Sequence, residues 1–538
     1  MKRTWKITLI VLGTLLAVGI VLFIGADVIA SRIVKKQVNK QLAALPGVEA
    51  SVGDVQICLF SGIASVSDLR FSYRGETVIR KDTVRPGVNI EVERIDVGRI
   101  FYAMLLRKQA LVYSLTVSTP RVELWMDEEH PELCFPQFPQ DTTPKVFPLA
   151  KAELMNFALE NASLALHSVR TKLDVAVDSC SVEVHDLAYD SVFSYCDSVY
   201  TFYLAHAAVK TPDGRIAIDT RDIAQANQGA LQVGPTRIAN TMPKMKLGDI
   251  VREPVTWIDM TIASVTTSPF NPVRKALAKD MTLESAEAVV AQMNVFRDTR
   301  YKPKSPYQTP QQALMAIPVT FAVKHVDAAI QHLFIELAST EKNIGHLTMQ
   351  DIHAKVDNIT NRRGATISLE GGCPVDKGGA TAKAKLTMDR ESTFYSRMHV
   401  TDVNVNFLSP FIRPLVGMTA DCMIDTLDTE YTGNTTQAKG SFRMLYHGLE
   451  IMVHKDDDIP YKIITRNANT FTTLGNSLIP KSNPTKLDIR PRAYEVEWKY
   501  DPWQPWPLYL FGPCIDGVKK TFLPGLYVHT QINYKHRK

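Results

Sequence analysis

The chain has 538 residues, 45% of them hydrophobic and 22% charged, which is longer than one compact core usually serves and too polar overall for a polytopic membrane protein. Its 61 basic and 56 acidic residues leave a formal charge of only +5, and no basic run interleaved with aromatics marks a nucleic-acid site. The seven cysteines are scattered with no C-x-x-C pair, so they define neither a zinc site nor a disulfide framework; only Cys180 and Cys196 are spaced like a hairpin bridge, and the spacing leaves their pairing open.

The first six residues carry Lys2, Arg3 and Lys6, and Ile7 to Ala26 then runs without a charge. At the helical rise this stretch covers about 30 Å, the hydrocarbon thickness of a bilayer. It is too long for a signal-peptide core and lacks an A-x-A cleavage site, so it reads as a single transmembrane anchor over 7–27. The preceding cations put a cytoplasmic tip at 1–6 and everything after the anchor on the other side. Ile33, Val34, Val38, Leu42 and Leu45 recur at helical spacing beside Lys35, Lys36 and Lys40, which predicts an amphipathic stalk over 28–47 ending at Pro46-Gly47.

From Ser51 the dominant period is two. Val55-Gln-Ile57, Leu69-Arg-Phe71, Val88-Asn-Ile90-Glu-Val92, Leu173-Asp-Val175-Ala-Val177, Leu333-Phe-Ile335-Glu-Leu337 and Val403-Asn-Val405-Asn-Phe407 all alternate apolar with polar, and about twenty such strands fit the chain. Helices are expected only at Val97–Leu106, Val273–Lys279, Glu284–Met293 and Leu408–Val416. These are too few to cover a sheet of this size or to build βαβ units, so the fold class is mainly β and antiparallel. The prolines between Asp127 and Pro148 predict an exposed loop or lid. A second proline-rich and cationic stretch, Phe296–Pro310, suggests a boundary dividing the body into 48–300 and 301–455, with strands and a helical tail over 456–538.

A large one-faced sheet buries its apolar side against a second sheet, against itself as a barrel, or against something the chain does not encode. Tethering to a bilayer makes acyl lipid the natural third option.

The anchor and stalk followed by Leu42-Ala-Ala-Leu-Pro46-Gly47, Val52-Gly-Asp-Val-Gln-Ile57 and Leu59-Phe-Ser-Gly62-Ile-Ala-Ser-Val-Ser-Asp-Leu69 resemble the start of AsmA-like proteins. The segments Val405-Asn-Phe-Leu-Ser-Pro410-Phe-Ile-Arg-Pro414 and Gly440-Ser-Phe-Arg-Met-Leu-Tyr446 are similar to that family's terminal region. The resemblance implies an elongated, curved, taco-like antiparallel β-groove of the bridge-like lipid-transfer superfamily, held in the periplasm of a Gram-negative envelope by its inner-membrane helix. It also implies a part in phospholipid movement to the outer membrane and in outer-membrane biogenesis. About twenty strands at roughly 4.8 Å give near 95 Å of sheet at most, so a periplasmic or outer-membrane partner protein is expected to complete any bridge.

No H-E-x-x-H, Walker A, G-x-S-x-G or G-x-G-x-x-G motif is present. Ser339-Thr-Glu-Lys342 has S-x-x-K spacing but lies in a polar turn, and its companion motifs are missing. The thirteen histidines are dispersed, and Asp456-Asp457-Asp458 reads as a solvated turn. No enzyme activity, cofactor or metal is expected. The groove-lining side chains are expected on one face of the strands: Ile57, Leu69, Phe71, Ile90, Val92, Val403, Val405 and Phe407. In the tail, Leu508, Phe511, Ile515, Val518 and Phe522 share one helical stripe near Trp503 and Trp506, with Pro513 expected to kink or interrupt it. Such a helix suits a membrane surface, a cap on the groove, a bound partner or packing onto the sheet edge as ordinary core. The competing reading of the whole chain is a non-enzymatic envelope scaffold with a closed β-sandwich core that assists outer-membrane protein assembly.

Overall fold

The structure, a computed structural model, describes residues 27–532 apart from 44–46, 59–60, 76, 80–81, 102–108, 128, 137–150, 171, 191–199, 227–228, 272–280, 318, 456–466 and 487–488. The anchor Ile7–Ala26, the helix expected at Val273–Lys279, Cys196 and Asp456–Asp458 therefore lie outside the described residues. Among the described residues no helix is long and apolar enough to cross a membrane.

The fold is mainly β, with 62% strand against 17% helix and only short helices. Two compact units divide the chain, 1–236 and 237–538. In unit 1, helix α1 (Asp27–Ala43) precedes β1 (Val48–Cys58), β2 (Ile63–Arg74), the small hairpin β3 (Thr77–Ile79) and β4 (Asp82–Val84), then β5 (Gly87–Ile100), β6 (Gln109–Met126), β7 (Lys151–Ser168), β8 (Asp174–Asp190), β9 (Tyr200–Lys210), β10 (Ile216–Ala226) and β11 (Ala230–Val233). Strand β12 (Thr236–Asn240) begins at the division. In unit 2 the order is α2 (Lys244–Val251), β13 (Val255–Pro269), β14 (Met281–Asp298), α3 (Pro310–Met315), β15 (Phe321–Ala338), β16 (Ile344–Thr360), β17 (Thr366–Val375), β18 (Gly378–Thr387), β19 (Phe394–Asn404), α4 (Ser409–Val416), β20 (Met418–Gly433), β21 (Gln437–Val453), α5 (Ala468–Leu478), β22 (Ala493–Lys499), α6 (Trp506–Phe522) and β23 (Gln531–Ile532).

Sequential strands pair antiparallel within each unit, as alternation predicts, with two exceptions: β6 lies parallel to β7, and β14 lies parallel to β15. A parallel pair requires a long crossover. The two proline-rich stretches supply these crossovers, so Phe296–Pro310 falls inside unit 2 and its first three residues belong to β14. The described start of the other stretch, 127–136 without 128, is packed rather than free: Cys134 is buried in a 3-10 turn and its thiol donates to the Trp125 carbonyl at 3.3 Å.

The units repeat one another. β6, β7 and β8 have 18, 18 and 17 residues, as do β14, β15 and β16, and β8 begins at Asp174 where β16 begins at Ile344. At each crossover the chain leaves the sheet on a fully buried aspartate, Asp127 or Asp298, held by Arg170 or Arg300. The hydrogen bond from Arg170 outweighs burial and holds the Asp127 carboxyl below its ordinary range. A depressed native value means stability that is complete above about pH 4 and is lost as pH falls from there. In acid the exchange protection of β6 in the full chain is expected to fall first at its end beside Asp127, and Arg170→Gln is expected to abolish that acid-linked loss.

A second regularity runs across the strands. Alternation places inward residues two apart, yet each long strand of unit 1 contains one step of three: Val52/Val55, Val66/Leu69, Val92/Ile95, Val117/Pro120, Leu159/Ala162, Val177/Cys180, Leu204/Ala207 and Thr220/Ile223; the steps face one another across neighbouring strands except between β7 and β8, where they are offset and the register shifts. Asp68, Thr119, Asn161, Ser179 and Asp222 sit in or beside these steps at φ between 50° and 53°. Short polar side chains tolerate this left-handed region, and the extra residue bends the strand while restoring its apolar phase. Unit 2 has the same line at Val290/Met293, Ile330/Leu333 and Met349/Ile352, with the β13 step Ile262/Val265 offset from it by a register shift.

Glu284–Met293 was expected to be helical but belongs to β14, because Val290 and Met293 mimic a helical repeat. Val97–Ile100 likewise belongs to β5 rather than to a helix, and 102–108 lie outside the described residues. The predicted strand through Val405 and Phe407 ends at Asn404; residues 405–408 form a 3-10 turn, capped by the Asn404 side chain accepting from the Asn406 amide at 2.8 Å. The helix after it matches expectation, with Pro410 in its first turn and Gly417 at its C-cap in the left-handed region, φ 72°.

Helices cover exposed strand backbone in both units. The α1 segment, predicted as a stalk, packs Val34 and Val38 against β1 and β2, and Asn39 accepts from the Val52 amide at 3.1 Å. In unit 2, Asn476 of α5 accepts from the Ile451 amide and donates to the Ile451 carbonyl, both at 2.8 Å, while Thr472 accepts from Val453 at 2.9 Å. Asn476 thereby mimics a neighbouring strand and protects an edge that would otherwise pair with another chain. Asn476→Ala leaves two part-buried backbone groups unbonded, which is expected to cost about 1–3 kcal/mol and to raise amide exchange at Ile451.

Candidate functional site

The pairing places one apolar ladder after another on a single face of each sheet. In unit 1 one row runs Ala50, Phe71, Ile90, Val122, Leu164, Val177 and Ala207, and another runs Val66, Ile95, Val117, Leu159, Val182 and Phe202. In unit 2 the rows are Ile258, Val295, Ile335 and Leu347; Met260, Met293, Leu333 and Met349; and Ile262, Val290, Ile330 and Ile352. The intervening residues are mostly polar. On β16, Leu347, Met349, Ile352, Ala354, Val356 and Ile359 are half-buried while Thr348, Gln350, Asp351, His353 and Lys355 are exposed.

The degree of burial distinguishes these ladders from a closed core. Of the twelve β13–β16 ladder residues named above, Val290 alone is buried; the others are intermediate. No described element closes over them along their length, although α4 lies over the start of β16, where a Cβ on Gly345 would meet the Phe411 carbonyl at 2.3 Å. A sheet packed face to face on another would exclude water from such residues.

The same face is filled farther along unit 2. Ile367, Leu386, Phe394, Leu427, Tyr431, Phe442, Met444, Tyr446 and Val496 are buried in one cluster on which α6 packs. The helix approaches closely because glycines face the sheet: a Cβ on Gly512 would lie 2.4 Å from the Trp498 ring and one on Gly517 would lie 2.1 Å from Phe442. Tyr509 stacks edge-on to Phe394 at 5.5 Å and to Tyr500 at 4.9 Å, and the Tyr431 hydroxyl donates to the Leu510 carbonyl at 2.6 Å. Lys520 is buried, donating to the Glu495 carbonyl at 2.8 Å and pairing with Asp516 at 2.7 Å.

The tail stripe is therefore corrected. Leu508 and Phe511 point outward, at 37% and 48% exposure, and Tyr509, Gly512, Pro513, Cys514, Gly517 and Thr521 point inward, with Val518 and Phe522 at the margin of the core and Ile515 intermediate. Hydrophobic spacing overlooks a face built from glycines, whose value lies in close approach rather than area. Pro513 lies inside one continuous helix and does not interrupt it.

The eight expected lining residues divide. Phe71 and Ile90 are directly paired and half-buried in the open ladder; Leu69 pairs with Val92, which is buried; Ile57 is buried with Ala64 beneath α1, where Leu69 also packs. Val403 is buried on β19, Val405 packs against the closed core, and both Val405 and Phe407 lie in the turn rather than on a strand. The central ladders of β6–β8 and β13–β16 supply no residue to these eight, although their alternation is readable once the step of three is allowed.

The polar face carries cross-strand pairs. His325 meets Asp357 at 2.8 Å, His399 meets Asp428 at 2.7 Å, and His206 sits between Asp219 at 2.8 Å and Asp178 at 3.1 Å, which raises its pKa. Among the described residues no three His, Cys, Asp or Glu are placed to hold a metal ion. Burial pushes the Cys422 and Cys514 thiols up to about 12 and about 11, so both remain protonated and pack as small apolar groups. Ser339 and Lys342 occupy the β15–β16 hairpin turn, where the Ser339 amide donates to the Asn343 carbonyl.

No family model, curated protein or solved structure matches the chain.

Proposed function

We propose that the chain is a membrane-anchored, non-enzymatic lipid-binding and lipid-transfer scaffold, with phospholipid or another acyl lipid lying along the apolar ladders and head groups near solvent. The observation that carries this reading is the half-buried state of the β13–β16 ladders, which are apolar over four strands and closed by no described element. Each CH₂ group removed from water there contributes about 0.8 kcal/mol, and because the contact is non-directional a chain can slide along it. The charge-free run Ile7–Ala26 behind three cations supports an inner-membrane anchor with the body in the periplasm. The resemblance to AsmA-like proteins supports an elongated curved groove serving phospholipid movement to the outer membrane, with a partner protein there.

The full chain, purified in mild detergent and extracted with organic solvent, is expected to release phospholipid in mass spectra. A protein free of lipid after extraction from membranes would sink the reading. The buried core beneath α6 favours the second reading, an assembly scaffold with a closed core, and the same extraction separates the two.

A further inference from the structure

We infer that α6 is a built-in plug, so that the lipid site of unit 2 is blind: an acyl chain enters the ladders of β13–β16 and stops before β19–β22. This inference rests on the lipid reading above and specifies how far the chain travels.

The register makes the apolar face continuous across the strands. Val356 on β16 pairs with Leu369 on β17, Ile367 with Leu386 on β18, and Leu386 with Phe394 on β19; the face continues through Val400, Leu427 and Met444 onto β21. What changes along it is the material covering it. Over β13–β16 the ladder residues are half-buried, whereas Leu386, Phe394, Leu427, Met444 and Phe442 are nearly or fully withdrawn from solvent. The covering groups come from the chain itself: α6 meets Phe394, Tyr431 and Phe442, and Leu314 and Met315 of α3 pack on the same core.

The seat of α6 is occupied to van der Waals contact. Gly512 and Gly517 leave no room for even a methyl group against Trp498 and Phe442, so no acyl chain fits between helix and sheet. The helix is held by polar contacts a lipid chain cannot replace: Asp516 accepts from the Glu497 amide at 3.0 Å, Lys520 binds the Glu495 carbonyl, and Tyr431 binds Leu510. Unit 2 consequently holds a chain and returns it along the open mouth of the ladders. It does not pass the chain through to its carboxy-terminal strands.

Methionines lie in both regions, which permits a test without altering shape. Met260, Met293 and Met349 line the open ladders, and Met388 and Met444 are buried in the closed core. The full chain is produced with photo-methionine, incubated with vesicles of phosphatidylethanolamine and phosphatidylglycerol, irradiated and digested. Lipid adducts are expected on peptides carrying Met260, Met293 or Met349, with none above the unirradiated level at Met388 and Met444. Adducts in both regions overturn the plug while leaving the lipid reading intact. Adducts in neither region overturn both, and adducts only at Met388 or Met444 reverse the assignment of open and closed ends.

Discussion

Replacing Arg300 with Met is expected to cost unit 2 about 3–5 kcal/mol, the range for removing one partner of a buried ion pair. Asp298 is completely withdrawn from solvent at the end of β14, and Arg300 grips both its oxygens, with Nη2 at 2.8 Å from Oδ2 and Nε at 3.0 Å from Oδ1. The same guanidinium bonds the Met245 carbonyl at 3.1 Å and Asp249 at 2.9 Å, both on α2. The hydrogen bond with Asp298 holds Arg300 above its usual range against the opposing effect of burial, so it is charged at every accessible pH. Gly248 of α2 faces the carboxylate so closely that a Cβ would sit 2.0 Å from Oδ2, which leaves the orphaned anion no space to recruit water. The urea midpoint of the full chain, followed by exchange protection on β14 and β15, should fall accordingly. Asp298→Asn combined with Arg300→Met should recover most of the loss, since the isolated charge rather than the missing bond carries the penalty. A loss below about 1 kcal/mol for the single variant would show that the pair is not sealed.

Leu333→Glu is expected to separate binding from folding. Leu333 is half-buried in the centre of the open ladder, paired with Met293 and Met349, so a glutamate there can keep its carboxylate hydrated. The fold should survive with a change of about 1 kcal/mol or less, while co-purifying lipid falls by at least about tenfold, because an acyl chain would have to desolvate the charge. Met444→Glu, on the same face but fully enclosed, is expected to unfold unit 2. Should Leu333→Glu also unfold the protein, the ladders would be an ordinary closed core. Val405 does not serve this purpose, because it lies in a turn against the closed core and probes packing rather than a groove.

Period-two alternation was sufficient to identify most of the strands and to place Phe71 and Ile90 on the apolar face, since each strand's inward residues are local information. It failed where each strand inserts one extra residue: at β14, the step from Val290 to Met293 reads as a helix unless its parallel neighbour β15 shows the same step in register, Ile330 to Leu333. It failed also at α6, because the docking face is glycine, and glycine carries no hydrophobic signal. The parallel crossovers were legible only as proline-rich interruptions; their buried Asp127 and Asp298 look like surface aspartates in the sequence and are identified by their arginines in space.

The amino-acid sequence by itself determined that the chain is mainly β, that its strands are one-faced and that a charge-free run of membrane length precedes them, because composition and periodicity are properties of neighbours along the chain. Tertiary structure alone decided which part of the apolar face stays open and which is filled. That outcome depends on α6 meeting β19–β22 through Gly512 and Gly517, a fit between residues far apart in sequence whose small size conveys nothing until the partner rings of Trp498 and Phe442 are in place.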